Sequence, residues 1–523
     1  MEKKTELIER LEQVKQENLE GGGLDKIEKQ HAKGLLSARE RIDQLADSDS
    51  FGEFGSAVRA TDVTLDDKVK KTPCDGAITG MVKVNGRNAT VFASDFTIMA
   101  ASIGSQHMAK FSSLLEWSGE WGVPFFWLLD SSGARLTLAG STGSEWNRTV
   151  YFATQGRYSG LIPQIYVLLG PCVAGHAYGP ILSDFLIMTR KTSWMWLGGP
   201  RMVKAATTEE MMTTGDIGGA DYHMMYSGSC DIVAENDEDA IEKAKILLSY
   251  IPQNCWQEPP FVETGDDPNR RDDELIHLIP EDPNATYDMH EIIKRIVDNG
   301  EFFELKEGFA KQVITGFCRF GGRSVGIVAN NPSEPGSIFE NNACDKYCRF
   351  LRFIDAFNIP LITLTDTADT LPGEEWERKG LLRHGGKIIY AYSVATIPKV
   401  NVIIRHAYGD AGSIIMGSSK GLGTDICYAW PTADVAVEAS KLDLVNTFGL
   451  EQGAYENYLW RAKEKVGIFD TSIGWTTQIA DEIIDPSNTR RRIIDALSIT
   501  EGKLGIKVKK LPEKASNHGV PPA

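Results

Sequence analysis

Two short apolar runs, Phe125 to Leu129 and Leu361 to Thr365, each stop at an aspartate followed by a loop of small residues. A stretch of helical character precedes each, His107 to Trp121 and Asn342 to Phe357. Gly122-Val123-Pro124 and Asn358-Ile359-Pro360 end these stretches, because proline cannot continue a helix. Further upstream, Asn85-Gly86 and Gly321-Gly322 supply the residues that a tight hairpin turn needs. Downstream, a second helical stretch and a second apolar run, Ile165 to Leu169 or Val400 to Ile404, lead into another glycine-containing loop. Strands alternating with helices are joined by crossovers, so the pattern predicts a largely parallel sheet and the α/β class.

The order of elements occurs twice because the sequence itself repeats. At an offset of 236 residues, Ile78-Thr79-Gly80 falls on Ile314-Thr315-Gly316, Gly86-Arg87 on Gly322-Arg323, Pro124 on Pro360, Leu128 on Leu364 and Asp130 on Asp366. With Ala93, Lys110 and Leu115 matching Ala329, Lys346 and Leu351, eleven of fifty-three positions are identical, where chance gives roughly three or four. One residue of adjustment also aligns Ile162-Pro163 with Ile397-Pro398. An internal duplication is therefore expected, with one domain over residues 1–260, a polar linker over 261–285 and a second domain over 286–523.

A chain of 523 residues exceeds what one ordinary core holds, which agrees with two domains. The formal net charge of −17 argues against a nucleic-acid binder, but not against a phosphorylated small ligand, which needs only a few local N–H groups and cations. Residues 1–23 are charged and carry no signal-like apolar stretch. The most apolar region, Leu161 to Met188, is interrupted by Pro163, Gln164, Pro171, His176, Pro180 and Asp184. No membrane-spanning helix is expected, and the chain reads as cytoplasmic. The eight cysteines are scattered, and Cys344 and Cys348 have no neighbouring histidine to complete a zinc set, so buried thiols and no metal are expected.

In parallel sheets, ligands bind beyond the carboxyl ends of the strands. Two loops per copy lie there: Asp130 to Arg135 and Gly170 to His176 in the first, Asp366 to Gly373 and Arg405 to Gly412 in the second. A helix start after each loop would present main-chain N–H groups, and two converging on one point make an oxyanion hole. Alignment sets Ala174-Gly175 opposite Gly409-Asp410. The competing reading is that these glycines only serve tight turns. The residues alone support an α/β protein with two related anion-accommodating sites.

Particular runs carry a resemblance. Asp130-Ser-Ser-Gly-Ala-Arg135, Ser159-Gly-Leu-Ile-Pro-Gln164, Gly170-Pro-Cys-Val-Ala-Gly175 and Gly199-Pro200 resemble the amino-terminal domain of acyl-CoA carboxyltransferases. Asp298-Asn-Gly-Glu-Phe-Phe-Glu304, Arg349 to Pro360, Leu371-Pro-Gly373, Arg383-His384-Gly385 and Tyr428 to Ala433 resemble propionyl-CoA carboxylase beta chains. The resemblance implies two tandem crotonase-like (ClpP/crotonase) domains, related by the duplication. It implies an acyl-CoA site using Ser131, Gly133, Ala134, Arg135, Gly170 and Val173, with Ala174 and Gly175 polarising the thioester. A carboxybiotin site in the second domain would use Gly373, Gly409, Asp410 and Ala411. It further implies a metal-free hexamer, a trimer of dimers, that moves a carboxyl group at the α-carbon of the thioester. Neither a Met-Lys-Met biotin site nor an ATP-binding region is recognisable, since Met81-Val82-Lys83 and Met202-Val203-Lys204 do not qualify. Any biotin must then sit on a separate carrier, with a biotin carboxylase or membrane decarboxylase subunits as partners.

Departures from the family cluster at the chemistry. Leu136 to Gly140 follows Arg135 in place of Gln-Glu-Gly, His176 replaces a small residue, and Asp369 and Asp410 stand where glycines are usual. Trp194, Trp196 and Trp376 also differ from the family. Two added carboxylates would repel anionic carboxybiotin unless one stays protonated. This raises a second reading, in which His176, Asp369 and Asp410 do acid–base work in a biotin-independent decarboxylase or C–C lyase. Its rival is that they are solvated loop groups or helix caps. A third reading is a non-catalytic scaffold subunit.

Overall fold

A computed structural model describes residues 2–61, 71–135, 142–207, 217–282, 285–334, 339–367, 370, 373–418, 420–436, 466–469 and 480–503. The described residues form two compact units, the first comprising those up to Ser249 with Gln253–Cys255, the second Tyr250–Pro252 and those from Trp256 to Lys503.

The first unit is built on a seven-stranded sheet. Its strands are β1 (Gly52–Phe54), β2 (Ala77–Val84), β3 (Arg87–Ser94), β4 (Phe125–Leu129), β5 (Gln164–Leu168), β7 (Phe185–Thr189) and β9 (Ile232–Ala234), neighbours in that order. A separate two-stranded sheet pairs β6 (Pro171–Val173) with β8 (Trp194–Trp196). The second unit repeats the path with β10 (Phe302–Leu305), β11 (Val313–Phe320), β12 (Arg323–Asn330), β13 (Leu361–Thr367), β14 (Lys399–Tyr408) and β15 (Ile426–Ala429). There β16 (Asp434–Ala436) adds to β14, β17 (Val466–Gly467) to β16, and β18 (Glu482–Ile483) to β15. In both units the first three strands are antiparallel and the later ones parallel, save that β17 runs antiparallel to β16. The parallel strands β4, β5 and β7 are buried at every position, as strands covered on both faces must be.

Strand register shows the duplication as geometry. Thr90 pairs with Phe125 and Gly326 with Leu361, both displaced by the offset of the alignment. The repeated residues have jobs that repeat. Thr79 donates its hydroxyl to Phe54 O at 2.9 Å, and Thr315 to Leu305 O at 3.2 Å. A Cβ on Gly80 would stand 2.3 Å from Gly52 O and 2.6 Å from the Phe51 ring; one on Gly316 would stand 2.5 Å from Phe303 O and 2.6 Å from the Phe302 ring. Pro124 and Pro360 offer their carbonyls to Thr90 N and Gly326 N, each at 2.9 Å, so each proline starts the ladder for the strand that follows it. Both hairpin turns are left-handed at two consecutive residues, Asn85-Gly86 and Gly321-Gly322, which suits the twist of the flanking strands. Asp47 accepts from both N–H groups of the first turn and Asp298 from both of the second. Lys110 donates to Ala77 O, and Lys346 to Lys306 O and Phe309 O, both from under helices.

The first core gathers Phe92, Phe111, Phe125, Trp127, Tyr151 and Tyr166, the second an aliphatic set including Ile292, Ile293, Ile314, Val325 and Ile362. The polar segment 261–285 is bonded into the second unit: Val262 N donates to Gly322 O, Asp272 N to Ser487 O, and Arg270 to Arg295 O. All eight cysteines are buried and free. Among the described residues no helix is long and apolar enough to cross a membrane.

Candidate active site

In the first unit, the two strand-end loops that the sequence singles out lie side by side. Ser131 N donates to Pro171 O at 2.8 Å. A Cβ on Gly133 would meet Val173 Cγ2 at 3.1 Å, and one on Gly170 would meet the Asp130 carboxylate at 2.1 Å. Ser131 Oγ donates to Ala101 O and accepts from Gly133 N, which closes the first loop on itself. Ile103 N donates to Gly133 O and Arg135 N to Ile103 O, so Ala134 sits between these two bonds, exposed. Arg135 is held by Asp75 at 2.8 Å and by Ser102 O, and is spent on the scaffold.

After β6 the chain turns sharply. Ala174 takes φ 60, the left-handed region, and a short helical turn opens over Ala174–Ala177. N–H groups at the opening of such a turn have no acceptor within it. Nothing lies within 4 Å of where a Cβ on Gly175 would be, so its main chain is open to approach. His176 points elsewhere: it packs against the Trp127 and Tyr151 rings, at centroid distances of 5.0 Å and 6.1 Å. Burial pushes its imidazole down to about 3, so it is uncharged at neutral pH. Its Nε2 and the Tyr151 hydroxyl, both buried, have no hydrogen-bond partner among the described residues.

The second unit builds a related corner with different supports. β14 ends at Tyr408, Gly409 takes φ 56, and a helical turn spans Ala411–Ile415. Ala411 is buried, while Asp410 is exposed and makes no capping bond to the turn. Gly373, φ 150, precedes the helix Glu374–Lys379, where Lys379 Nζ lies 4.4 Å above the Trp376 ring. Asp369 lies outside the described residues.

The supports behind each corner escape sequence reading. Asp130 is neutralised by Arg41, which also binds Asp237, and all three are buried. Burial pushes the Asp130 carboxyl up to about 6, against the pull of Arg41. Asp366, its counterpart, is held by Arg405 at 3.0 Å and by the Tyr287 hydroxyl at 2.7 Å. His406 Nδ1 and the Tyr408 hydroxyl share the Asp434 carboxylate, at 2.6 Å and 2.7 Å. The repeated aspartates were visible in the sequence. Their partners were not, because Arg41 comes from 89 residues upstream and Arg405 from 39 downstream.

The profile of the family described as Carboxyl transferase domain matches residues 29–513. The chain belongs to that family. This carboxyltransferase is 39% identical to the methylmalonyl-CoA decarboxylase subunit alpha of Veillonella parvula, over 99% of both chains. It is 38% identical to the mitochondrial propionyl-CoA carboxylase beta chain of Homo sapiens, covering 95% of this chain and 92% of that one. The transcarboxylase 12S crystal structure, a hexamer with methylmalonyl-CoA and methylmalonic acid bound, superposes with a TM-score of 0.86 at 37% identity over 99% of both chains. The fold is therefore the crotonase-like carboxyltransferase fold, and the protein is an enzyme of the acyl-CoA carboxylase and decarboxylase group.

Proposed function

We propose that this carboxyltransferase binds the coenzyme A thioester of a dicarboxylic acid in its first unit and moves the carboxyl group at the α-carbon. One observation carries the reading: loops 131–134 and 173–175 lie against each other, with Ala134 exposed and Gly175 open. The N–H groups of Ala134 and Gly175 are the donors for the thioester oxygen. In the decarboxylating direction the bond from the α-carbon to the carboxylate breaks and its electron pair moves onto the thioester oxygen. Carbon dioxide leaves and the α-carbon of the enolate takes a proton from water; in the reverse sense the α-carbon first gives up that proton and then bonds to the incoming carboxyl group. One aimed donor contributes about 3 kcal/mol to such a step.

The Gly409–Ala411 corner is the candidate holder of biotin brought by a separate carrier chain; biotin supplies the ureido nitrogen that exchanges the carboxyl group. The corner has the required opening of a helical turn, but Asp410 places an exposed carboxylate where an anion would dock. That carboxylate favours the second reading, a biotin-independent decarboxylase. Like transcarboxylase 12S, the chain is expected to assemble as a hexamer, with carrier and carboxylase or membrane decarboxylase subunits as further partners.

The test is a screen of the purified chain against dicarboxylic mono-CoA thioesters, with and without a biotinylated carrier and avidin. Turnover that needs the carrier and stops with avidin supports the biotin-dependent reading, and turnover in avidin supports the other. Failure to bind any CoA thioester leaves only the scaffold role. Gly175→Ala should fold as wild type, whereas Gly175→Pro should cut turnover about 100-fold with little change in thioester affinity. Unchanged turnover in the proline variant refutes this placement of the donors.

A further inference from the structure

The strand that runs beside the proposed donor loop carries two tryptophans. In the β6–β8 pair, Pro171 faces Trp194, Cys172 faces Met195 and Val173 faces Trp196. Cys172 and Met195 are buried on one face. Pro171, Val173, Trp194 and Trp196 share the other face and are all half-buried. The two indoles are parallel within 11°, centroids 6.2 Å apart. On its other flank β8 meets Gly218-Gly219, through Met195 N to Gly218 O and a bridge between Trp194 and Gly219. These glycines have no side chains to lay over the rings. A Cβ on Gly199 would stand 2.7 Å from Trp196 Nε1, and one on Gly218 would stand 2.5 Å from its Cε3. The Trp196 ring is thus seated in a slot that exists because both neighbours are glycine.

This apolar face ends at Val173, and the next residue is Ala174, where the proposed donors begin. Adjacent strands lie about 4.8 Å apart. Trp196 pairs with Val173 across that spacing, so its indole is the large side chain in register with the residue that precedes the proposed donors. We propose that Trp194 and Trp196 form the wall that selects the acyl group, and that the group selected is a flat apolar one of ring size, such as an aryl substituent. The inference rests on the acyl-CoA reading of the first-unit site and adds to it the chemical class of the acyl chain. Indole faces suit it because aromatic rings stack offset against them at low cost in ordering.

The experiment compares phenylmalonyl-CoA, methylmalonyl-CoA and malonyl-CoA on the wild-type chain, with its carrier if required, and on Trp196→Leu, Trp194→Leu and Trp196→Phe. Both kcat/KM and calorimetric affinity are measured. Wild type should prefer the phenyl over the methyl substrate by at least tenfold, the discrimination that a hydrophobic pocket reaches. Both leucine variants should bring that ratio close to one, and Trp196→Phe should retain most of it, while affinity for free coenzyme A stays unchanged. A wild type that handles the methyl substrate equally well overturns the proposal, as do leucine variants with an unaltered ratio. If methylmalonyl-CoA turns over and phenylmalonyl-CoA does not, the wall fails and the acyl-CoA reading survives. If none of the three is bound or turned over, both fail.

Discussion

Arg41 is the residue on which the first loop pair hangs. It joins Asp130 on one loop to Asp237 near the start of the helix Asp237–Tyr250, and none of the three is exposed. Replacing Arg41 by methionine leaves two buried carboxylates without a counter-charge, and breaking a buried pair in this way costs about 3–5 kcal/mol. The loss should depend on pH. Burial already raises the Asp130 carboxyl from 3.8 to about 6, so the folded state prefers its protonated form. Its contribution to stability is full below about 3.8 and disappears as pH rises through 6. Denaturant titrations of Arg41→Met should therefore show a large deficit at pH 8 that narrows at pH 5. An equal deficit at both pH values would mean that the variant fails by lost packing instead.

At the scale of elements, the two copies of the first hairpin predict two copies of one defect. Gly80→Ala and Gly316→Ala should each destabilise by about 1–3 kcal/mol, the ordinary penalty for overpacking, read as a lower midpoint in thermal or denaturant unfolding. A tolerated alanine at either position would contradict the close contacts with the Phe51 and Phe302 rings. These elements were legible in the sequence because they are local. Hairpin turns, prolines opening strands and uniformly apolar runs announce themselves within a few residues, and the predicted run Phe125 to Leu129 is β4. The small β6–β8 sheet was not legible. Three-residue strands carry no periodicity, and their pairing depends on a crossover of twenty residues. The supporting ion pairs were hidden for the same reason, since nothing local marks Arg41 or Tyr287 as partners of a distant aspartate. Asp369 and Asp410 were conspicuous as departures from a family pattern, and Asp410 indeed lies at the second corner without acting as a cap.

Across the whole molecule, duplication has given two corners that the proposed function uses for different halves of one reaction. The two should therefore be separable. Gly409→Val puts a branched side chain on a left-handed residue, where it is strained. It should lower carboxyl exchange with a biotinylated carrier about tenfold or more while leaving the calorimetric affinity for a CoA thioester unchanged. Gly175→Pro should slow decarboxylation whether or not the carrier is present. If Gly409→Val weakened thioester binding instead, the division of labour would be wrong. The two corners also differ in what their turning residue costs. Gly409 adopts φ 56 freely, whereas Ala174 holds φ 60 with a methyl group at a penalty of about 1 kcal/mol. Descended from one ancestor, the copies have parted in tolerance: the alanine corner already carries a side chain at a left-handed residue and would be relaxed by glycine, whereas any replacement of Gly409 introduces that strain anew.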